Sequence, residues 1–411
     1  MATGQHGAIQ ARRRLLLRWY DVHARDLPWR RQPSLYGTWL AEIMLQQTTV
    51  ATVTRRWPEF LARYPDVHAL AEADQSDVLA AWSGLGYYRR ARSLHEAARR
   101  LVAAVGGELP RTVAAWRALP GVGEYTAGAI GSIGLQQRVA AIDANVRRVM
   151  LRWHCCDPAA AAAVTPAVLR ELADAHVPAD RPGDWNQALM DLGAGLCHLA
   201  GPVCRHCPVR RWCAAGAAGN AQLIPAPVVR EPATPVRLSV LVLRHADRVL
   251  LLPCRRALVA PAADGGRPMH PASADMFHGM LCLPATPWYR DAAPNGPIAF
   301  AAAWRRWLRR LGWPRPHVTM LGQLGHAITV YRLRVSVATA AWPPDLASPC
   351  VSEAVWAIPD RKQPLGTLAW RSLSIADRPP PIARRVRKTA WAEKAVKPFT
   401  APSSADAEND L

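Results

Sequence analysis

Four cysteines sit close enough together to hold a metal centre. Cys197, Cys204, Cys207 and Cys213 fall within 17 residues, separated by six, two and five others. Four thiolates can close around zinc, for which all-cysteine sites are common, or around a [4Fe–4S] cluster, which takes the same number of ligands. Spacing leaves the two open. A second segment, Leu119-Pro-Gly-Val-Gly-Glu-Tyr-Thr-Ala127, places Gly121 and Gly123 around Val122 just ahead of a helical stretch. Such a turn exposes successive backbone N–H groups beside a helix N-terminus, a phosphate seat without base specificity. An ordinary helix–helix turn is the plainer alternative; Pro120 before it and Tyr125-Thr-Ala after it favour the seat. Two carboxylates complete the set. Glu42 lies in Ala41-Glu-Ile-Met-Leu-Gln-Gln-Thr48, beside the apolar Trp39 and Ile43. It is either solvated on an outer face or buried with a raised pKa, as a general acid near neutrality needs. Asp143 heads the helical run Ala141-Ile-Asp-Ala-Asn-Val-Arg-Arg-Val149, where an Asp is at least an N-cap.

These groups need a helical framework, and residues 8–217 read as one. Apolar residues recur at helical spacing in Tyr36, Trp39, Leu40, Ile43 and Met44, and again in Val78, Leu79, Trp82 and Leu85. Turn signals at Gly84–Gly86, Gly106–Pro110, Pro120–Gly121 and Arg181–Gly183 separate the helices. A Pro-rich stretch, 218–235, is expected to be a semi-rigid linker. Beyond it the period changes: Arg237–Arg244 and Tyr331–Val337 alternate as strands do, with one helix near Ala301–Leu311 between them. Residues 236–376 are therefore expected to form an α+β domain, with a flexible insertion at 255–275. Residues 377–411 run from proline to basic to acidic and are expected to be a disordered tail.

Lys and Arg outnumber Asp and Glu by 51 to 31, a net charge of +20 on 411 residues. That excess favours polyanions, nucleic acid before anionic membrane. Met1–Gln10 holds no apolar signal core, and no apolar run reaches the length of about 18 residues that a spanning helix needs, so neither feature is expected. Nine cysteines without a signal point to metal ligands or free thiols rather than disulfides. Those at 155, 156, 254, 282 and 350 have no ligand-like spacing. A cytoplasmic enzyme is expected.

Taken in order, the motifs resemble the endonuclease-III-like, helix-hairpin-helix superfamily of base-excision glycosylases, and most closely its MutY-type adenine DNA glycosylases. The resemblance runs from Arg25 to Cys213 through Arg25-Asp-Leu-Pro-Trp-Arg30, Glu42–Thr48, Trp82-Ser-Gly-Leu-Gly-Tyr-Tyr-Arg89, Leu119–Thr126, Ile142-Asp-Ala-Asn-Val146 and Trp185–Gly193. It implies a mostly α catalytic domain of two helical subdomains with a DNA cleft between them and a [4Fe–4S] loop, held by the four cysteines above. It also implies that the α+β domain is a Nudix-like module reading the base opposite adenine. The hydrolase signature of such modules is missing, since Ala301–Arg310 carries no glutamate with which to build an acidic magnesium site.

The resemblance implies roles as well. Glu42 becomes the general acid that protonates the departing adenine, and Asp143 the carboxylate beneath the cationic sugar, the division of labour used by glycosidases. Tyr125 and Asn145 stand beside them. Gln47 and Tyr87 correspond to residues that wedge into the duplex as the base is flipped out. Arg25, Leu45 and Gln187 correspond to positions near the flipped adenine. Trp29, Arg30, Thr48, Gly121, Val122 and Gly123 fall in its DNA-contacting segments. The implied partner is double-stranded DNA with A·8-oxoguanine or A·G mispairs, bound by a monomer without any membrane, and the resemblance implies a cytoplasmic enzyme associated with the nucleoid. Glycosylase/lyases of the endonuclease III kind carry a lysine where this chain has Tyr125, so weak lyase chemistry is expected. A thymine or uracil mismatch glycosylase is the other enzymatic alternative, and a catalytically dead DNA-binding module the non-enzymatic one. In the family the opposite base is contacted by a His-x-Phe-Ser-His loop. The matching stretch is His326-Ala-Ile-Thr-Val330, which keeps a hydroxyl only at Thr329; Met276–Pro284 is altered too. A reduced preference for 8-oxoguanine over guanine is expected.

Overall fold

The structure is a computed structural model. It describes residues 2–226, 232–253, 268–269, 280–290, 300–328, 330–347, 351, 353–359, 363, 365 and 367–377. The expected tail from 378 onward, Thr329, and all of the 255–275 insertion except the short strand Pro268–Met269 lie outside the described residues.

Helices account for nearly all the regular structure from Ala2 to Leu223. They enclose two apolar cores. One is built from residues 36–130, around Trp39, Trp57, Trp82 and Trp116, all essentially inaccessible. The other joins Leu16 and Tyr20, on the first helix Ala2–His23, to residues 140–224, around Trp153 and Trp185. The chain thus starts in the second core, builds the first, and returns. The helix Leu35–Leu45 is capped by Ser34 Oγ, which accepts from Gly37 N, and every residue from Tyr36 to Met44 is buried. A helix apolar on all sides belongs inside a protein, and burying each large side chain contributes about 1.5–3 kcal/mol.

Eight strands occur among the described residues: β1 Thr234–His245, β2 Arg248–Pro253, β3 Pro268–Met269, β4 Leu281–Cys282, β5 Trp288–Arg290, β6 Thr319–Ile328, β7 Tyr331–Ala341 and β8 Val355–Ala357. β1 and β7, the two segments whose alternation is legible in the sequence, pair in parallel over their length from Thr234↔Tyr331 to Arg244↔Ala341. β6 lies antiparallel outside β7, while β5 and β2 flank the other edge of β1 and β8 continues from β2. Strand β1 begins inside the expected linker, with Pro235 in its second position, where a missing N–H disturbs least. Val236, Leu238, Val240 and Val242 face one core, shared with Ala369 and Leu373 of the helix Thr367–Ala376. Leu241 and Leu243 face the other, closed by Trp304, Trp307 and Leu308 of the helix Phe300–Arg310. One helix therefore covers each face of a mixed sheet.

The sheet region meets the helices near the turn at residues 83–88. Ser83 Oγ and Tyr88 Oη both donate to Leu365 O at 3.3 Å, and Met280 is buried in the first helical core.

Candidate active site

Glu42 sits on the fully buried helix Leu35–Leu45 and is itself 4% exposed, so the solvated alternative does not apply. Its Oε2 has no protein hydrogen-bond partner. Burial raises its pKa to about 7, and the negative charge of Asp143 pushes the same way. A hydrogen bond from Tyr125 and the positive charge of Arg30 restrain the rise. Tyr125 is on the helix Glu124–Ala129, immediately after the Gly121-Val-Gly123 turn. Burial and the two nearby carboxylates push its phenol well above the usual value, keeping it a neutral donor. Its hydroxyl also reaches Met190 Sδ at 3.8 Å.

Asp143 caps the helix Ala144–His154. Oδ1 accepts from Val146 N at 2.7 Å and Oδ2 from Asn145 Nδ2 at 2.8 Å. A donor on each oxygen stabilises negative charge there. The N-cap role and a place beside Glu42 and Tyr125 therefore coexist in one residue. Asn145 is oriented in turn by Arg148, whose Nη2 donates to Asn145 Oδ1 and Gly193 O, both at 2.8 Å, while its Nε donates to Cys197 O. Gly193 must stay small, since a Cβ there would lie 2.6 Å from Asn145 Cβ. Asn186 anchors the segment entering Asp143: its Oδ1 accepts from Ala141 N at 2.8 Å and its Nδ2 donates to Val139 O at 2.9 Å. Arg148 and Asn186 are absent from the expected site. Both lie inside recognisable motifs, but nothing in the sequence separates a buried bracing group from a solvated one.

In the hairpin, Gly121 has φ +78°, and a Cβ on it would meet Ser93 Cβ at 2.8 Å. Val122 is buried in the first core and its N–H is used on Leu119 O. A phosphate contact here would fall to Gly123 and the helix start that follows it. Gln46, another residue the motifs leave unassigned, ties this turn to the Glu42 helix by donating Nε2 to Gly121 O and Thr126 Oγ1.

Gln47 and Tyr87 are exposed, whereas Leu45 and Gln187 are half-buried. Thr48 spends its hydroxyl inside the protein, donating to Leu85 O and accepting from Arg90. Trp29 packs edge-on against Trp57. Arg25 and Arg30 converge on the buried Asp191, through Arg25 Nε to Oδ1 at 2.7 Å and Arg30 Nη1 to Oδ2 at 2.8 Å; Asp191 is also missing from the expected set.

The four cysteines line one pocket, walled by Trp153, Leu192, Leu196 and Pro202, with Arg152 Nη1 donating to Cys197 Sγ at 3.1 Å. Burial, and then the neighbouring thiols, push the Cys207 thiol up to about 12. Four thiolates would coexist here only around a positive centre. Among the described residues no three His, Cys, Asp or Glu side chains converge tightly enough to hold a single metal ion.

The first part of the stretch expected to read the opposite base lies on a strand. His326, Ala327 and Ile328 belong to β6, and Ile328 pairs directly with Tyr331, so residues 329–330 alone connect the two strands. Ile328 is buried in the sheet core and Val330 is exposed, while Thr329 lies outside the described residues.

Residues 40–174 match the HhH-GPD superfamily of base excision DNA repair proteins. Over 216 residues the chain is 44% identical to the rat adenine DNA glycosylase, a match covering 50% of this chain and 42% of that protein. It is 38% identical over 226 residues to the adenine DNA glycosylase of Arabidopsis thaliana, covering 49% of this chain and 36% of that one. The matched region thus spans less than half the length of these two relatives. The solved structure of a thermostable thymine-DNA glycosylase aligns with a TM-score of 0.49 at 28% identity, covering 52% of this chain and 98% of that one.

Proposed function

We propose that this protein, helix-hairpin-helix in its catalytic region and similar there to adenine DNA glycosylases, removes adenine mispaired with 8-oxoguanine or guanine in duplex DNA, acting as a monomer and without lyase activity. The observation that carries this reading is a buried Glu42, its pKa raised to about 7 by that burial, beside Tyr125 and the doubly hydrogen-bonded Asp143. Adenine leaves poorly as an anion. As the C1′–N9 bond breaks and its electron pair moves onto the base, Glu42 gives its proton to adenine. Asp143 stabilises the cationic sugar left behind. Water adds to C1′, and the proton it releases restores the Glu42 acid, leaving free adenine and an apurinic site. This uses two carboxylates in two different roles, as glycosidases do. Asn145 aims Asp143, and Tyr125 donates to Glu42 while offering no amine for a Schiff base.

Cys197, Cys204, Cys207 and Cys213 would hold a [4Fe–4S] cluster, whose contribution when bound is to neutralise four thiolates and stiffen the surrounding loop. That the four sulfurs line one pocket, at the cysteine spacing of iron–sulfur glycosylases, supports a cluster over zinc. Arg205, Arg210 and Arg211 on that loop would then face phosphates. In the sheet region the helix Phe300–Arg310 turns Trp304, Trp307 and Leu308 inward and carries no carboxylate. With a helix on each face of its mixed sheet, the region fits a Nudix-like module, and this helix offers no carboxylate for an acidic magnesium site. The test is excision from duplexes with adenine opposite 8-oxoguanine, guanine, cytosine or thymine. Release from the first two is expected, and release from none of the four overturns the proposal.

A further inference from the structure

Gln47 and Tyr87, the two residues assigned to wedge open the duplex, share an unusual backbone. Both are non-glycine residues at positive φ, 57° and 47°, and both are exposed. L-residues hold that conformation only where their surroundings over-determine it. They belong to separate segments, the end of the helix Leu35–Leu45 and the turn before the helix Arg89–Val105.

One side chain spans both. Arg90 is 8% exposed. Its Nη1 donates to Ile43 O at 2.9 Å and Met44 O at 2.7 Å, carbonyls in the last turn of the first helix, where intrahelical partners run out. Its Nη2 donates to Thr48 Oγ1 at 2.9 Å and to Leu85 O and Gly86 O, each at 3.0 Å. Gln47 is therefore bracketed by Met44 and Thr48, and Tyr87 is approached through the two carbonyls before it. Thr48 Oγ1 closes the tie by donating to Leu85 O at 3.1 Å. The guanidinium also lies 5.3 Å from the Trp82 ring centroid and 5.7 Å from that of Tyr87. All five acceptors are neutral oxygens, so its charge is not used in an ion pair with them. The planar fork matters, because a lysine ammonium cannot span the same five acceptors.

We propose that Arg90 is a positioning residue that locks Gln47 and Tyr87 into a single rigid wedge, so that the pair enters the duplex as a unit. The proposal rests on the base-flipping reading above. It predicts a defect in opening the duplex, not in breaking the glycosidic bond.

Arg90→Lys keeps the charge and removes the fork. Thr48→Val cuts one strand of the tie with little change of shape. Single-turnover adenine release is measured on a duplex with adenine opposite 8-oxoguanine and on one with adenine opposite a gap, where no pair needs breaking. Fluorescence of 2-aminopurine beside the target reports opening independently of cleavage. Arg90→Lys should be slower by about 100-fold on the paired substrate, the scale of a misplaced positioning group, and close to wild type on the unpaired one. Its fluorescence rise should be lost, and Thr48→Val should follow in milder form. Equal losses on both substrates, or wild-type opening by both variants, overturns the lock. A wild-type protein that leaves the fluorescence unchanged also overturns it. One that raises the fluorescence yet releases no adenine overturns the glycosylase reading, and the fluorescence of the variants then still decides the lock.

Discussion

Asn145 donates its side-chain amide to Asp143 Oδ2 at 2.8 Å and is itself held by Arg148 at 2.8 Å. Asp143 is thus aimed by a neighbour that is aimed in turn, as preorganised electrostatic stabilisation requires. Charge opposite the cationic sugar matters in the transition state and hardly at all in the bound ground state. Asp143→Asn should therefore lower kcat by on the order of 10²–10³-fold while leaving DNA affinity near wild type. Single-turnover rates set beside binding isotherms check this. A loss carried by affinity alone would place Asp143 in DNA binding instead.

Burial of Glu42 predicts a measurable cost to the fold. Its pKa rises from 4.5 to about 7 on folding. Below pH 4.5 the group is protonated in both states and the stability is at its fullest. Between 4.5 and about 7 the unfolded chain ionises while the folded one keeps its proton, so stability falls as pH rises, and above that it stays low. The loss is about 3 kcal/mol at the exchange of about 1.4 kcal/mol per pKa unit. Glu42→Gln removes this titration. The variant should gain on wild type across that window and remain the more stable protein at pH 8, while losing about 10²–10⁴-fold in activity. Denaturant midpoints at pH 4.5 and 8 decide it, and a pH-independent difference between the two proteins would contradict the raised pKa.

The positions of the two carboxylates could be read from the sequence, but the environment of Glu42 could not. Glu42 stands alone in an apolar helix, and the choice between outer face and interior depends on which elements cover that helix. Those elements come from distant parts of the chain, the helix of Tyr125 and Met280 among them, and no local pattern encodes them. Asp143 was easier, since an Asp at a helix start is a cap whatever else it does. Arg90, Arg148, Asn186 and Asp191 were invisible for a different reason: Arg and Asp usually read as solvated, and only tertiary packing brings their partners to them. In the sheet region alternation located β1 and β7 correctly. Motif alignment places a base-reading stretch at His326–Val330, of which His326–Ile328 pair with β7 and Thr329 lies outside the described residues.

The cysteine pocket predicts iron. Protein purified without added metal should be yellow-brown and carry about four iron atoms per chain. Substituting Cys204 with Ser should lower that content. Stoichiometric zinc without iron would reverse the assignment. With Arg152 hydrogen-bonded to Cys197 Sγ and to His198 O, Arg152→Met should loosen the loop that also carries Arg205, Arg210 and Arg211. DNA binding would then become weaker and less dependent on salt, since each lost phosphate contact reduces the slope with log salt by about 0.9.

Tyr125 offers a test that separates its two duties. Its hydroxyl donates to Glu42, and that bond opposes the rise caused by burial, because hydrogen bonding to the charged form favours ionisation. Removing the hydroxyl in Tyr125→Phe should raise the pKa of Glu42 further. The general acid is active when protonated, so wild-type activity is expected to fall as pH climbs through about 7, and that fall should come at higher pH in this variant. Its maximal rate should nevertheless be lower, because the hydroxyl no longer steadies the carboxyl as the proton leaves. Single-turnover rates from pH 5 to 9 check both effects, and a basic limb that does not move would show that the bond does not set the acid's pKa. The same position decides lyase chemistry. A phenol cannot form a Schiff base with the sugar aldehyde, so borohydride should trap little wild-type enzyme on DNA. Tyr125→Lys, which supplies an amine beside Glu42 and Asp143, should be trapped far more efficiently. Efficient trapping of wild type would refute monofunctional hydrolysis, and no gain in Tyr125→Lys would mean that this position does not face the sugar.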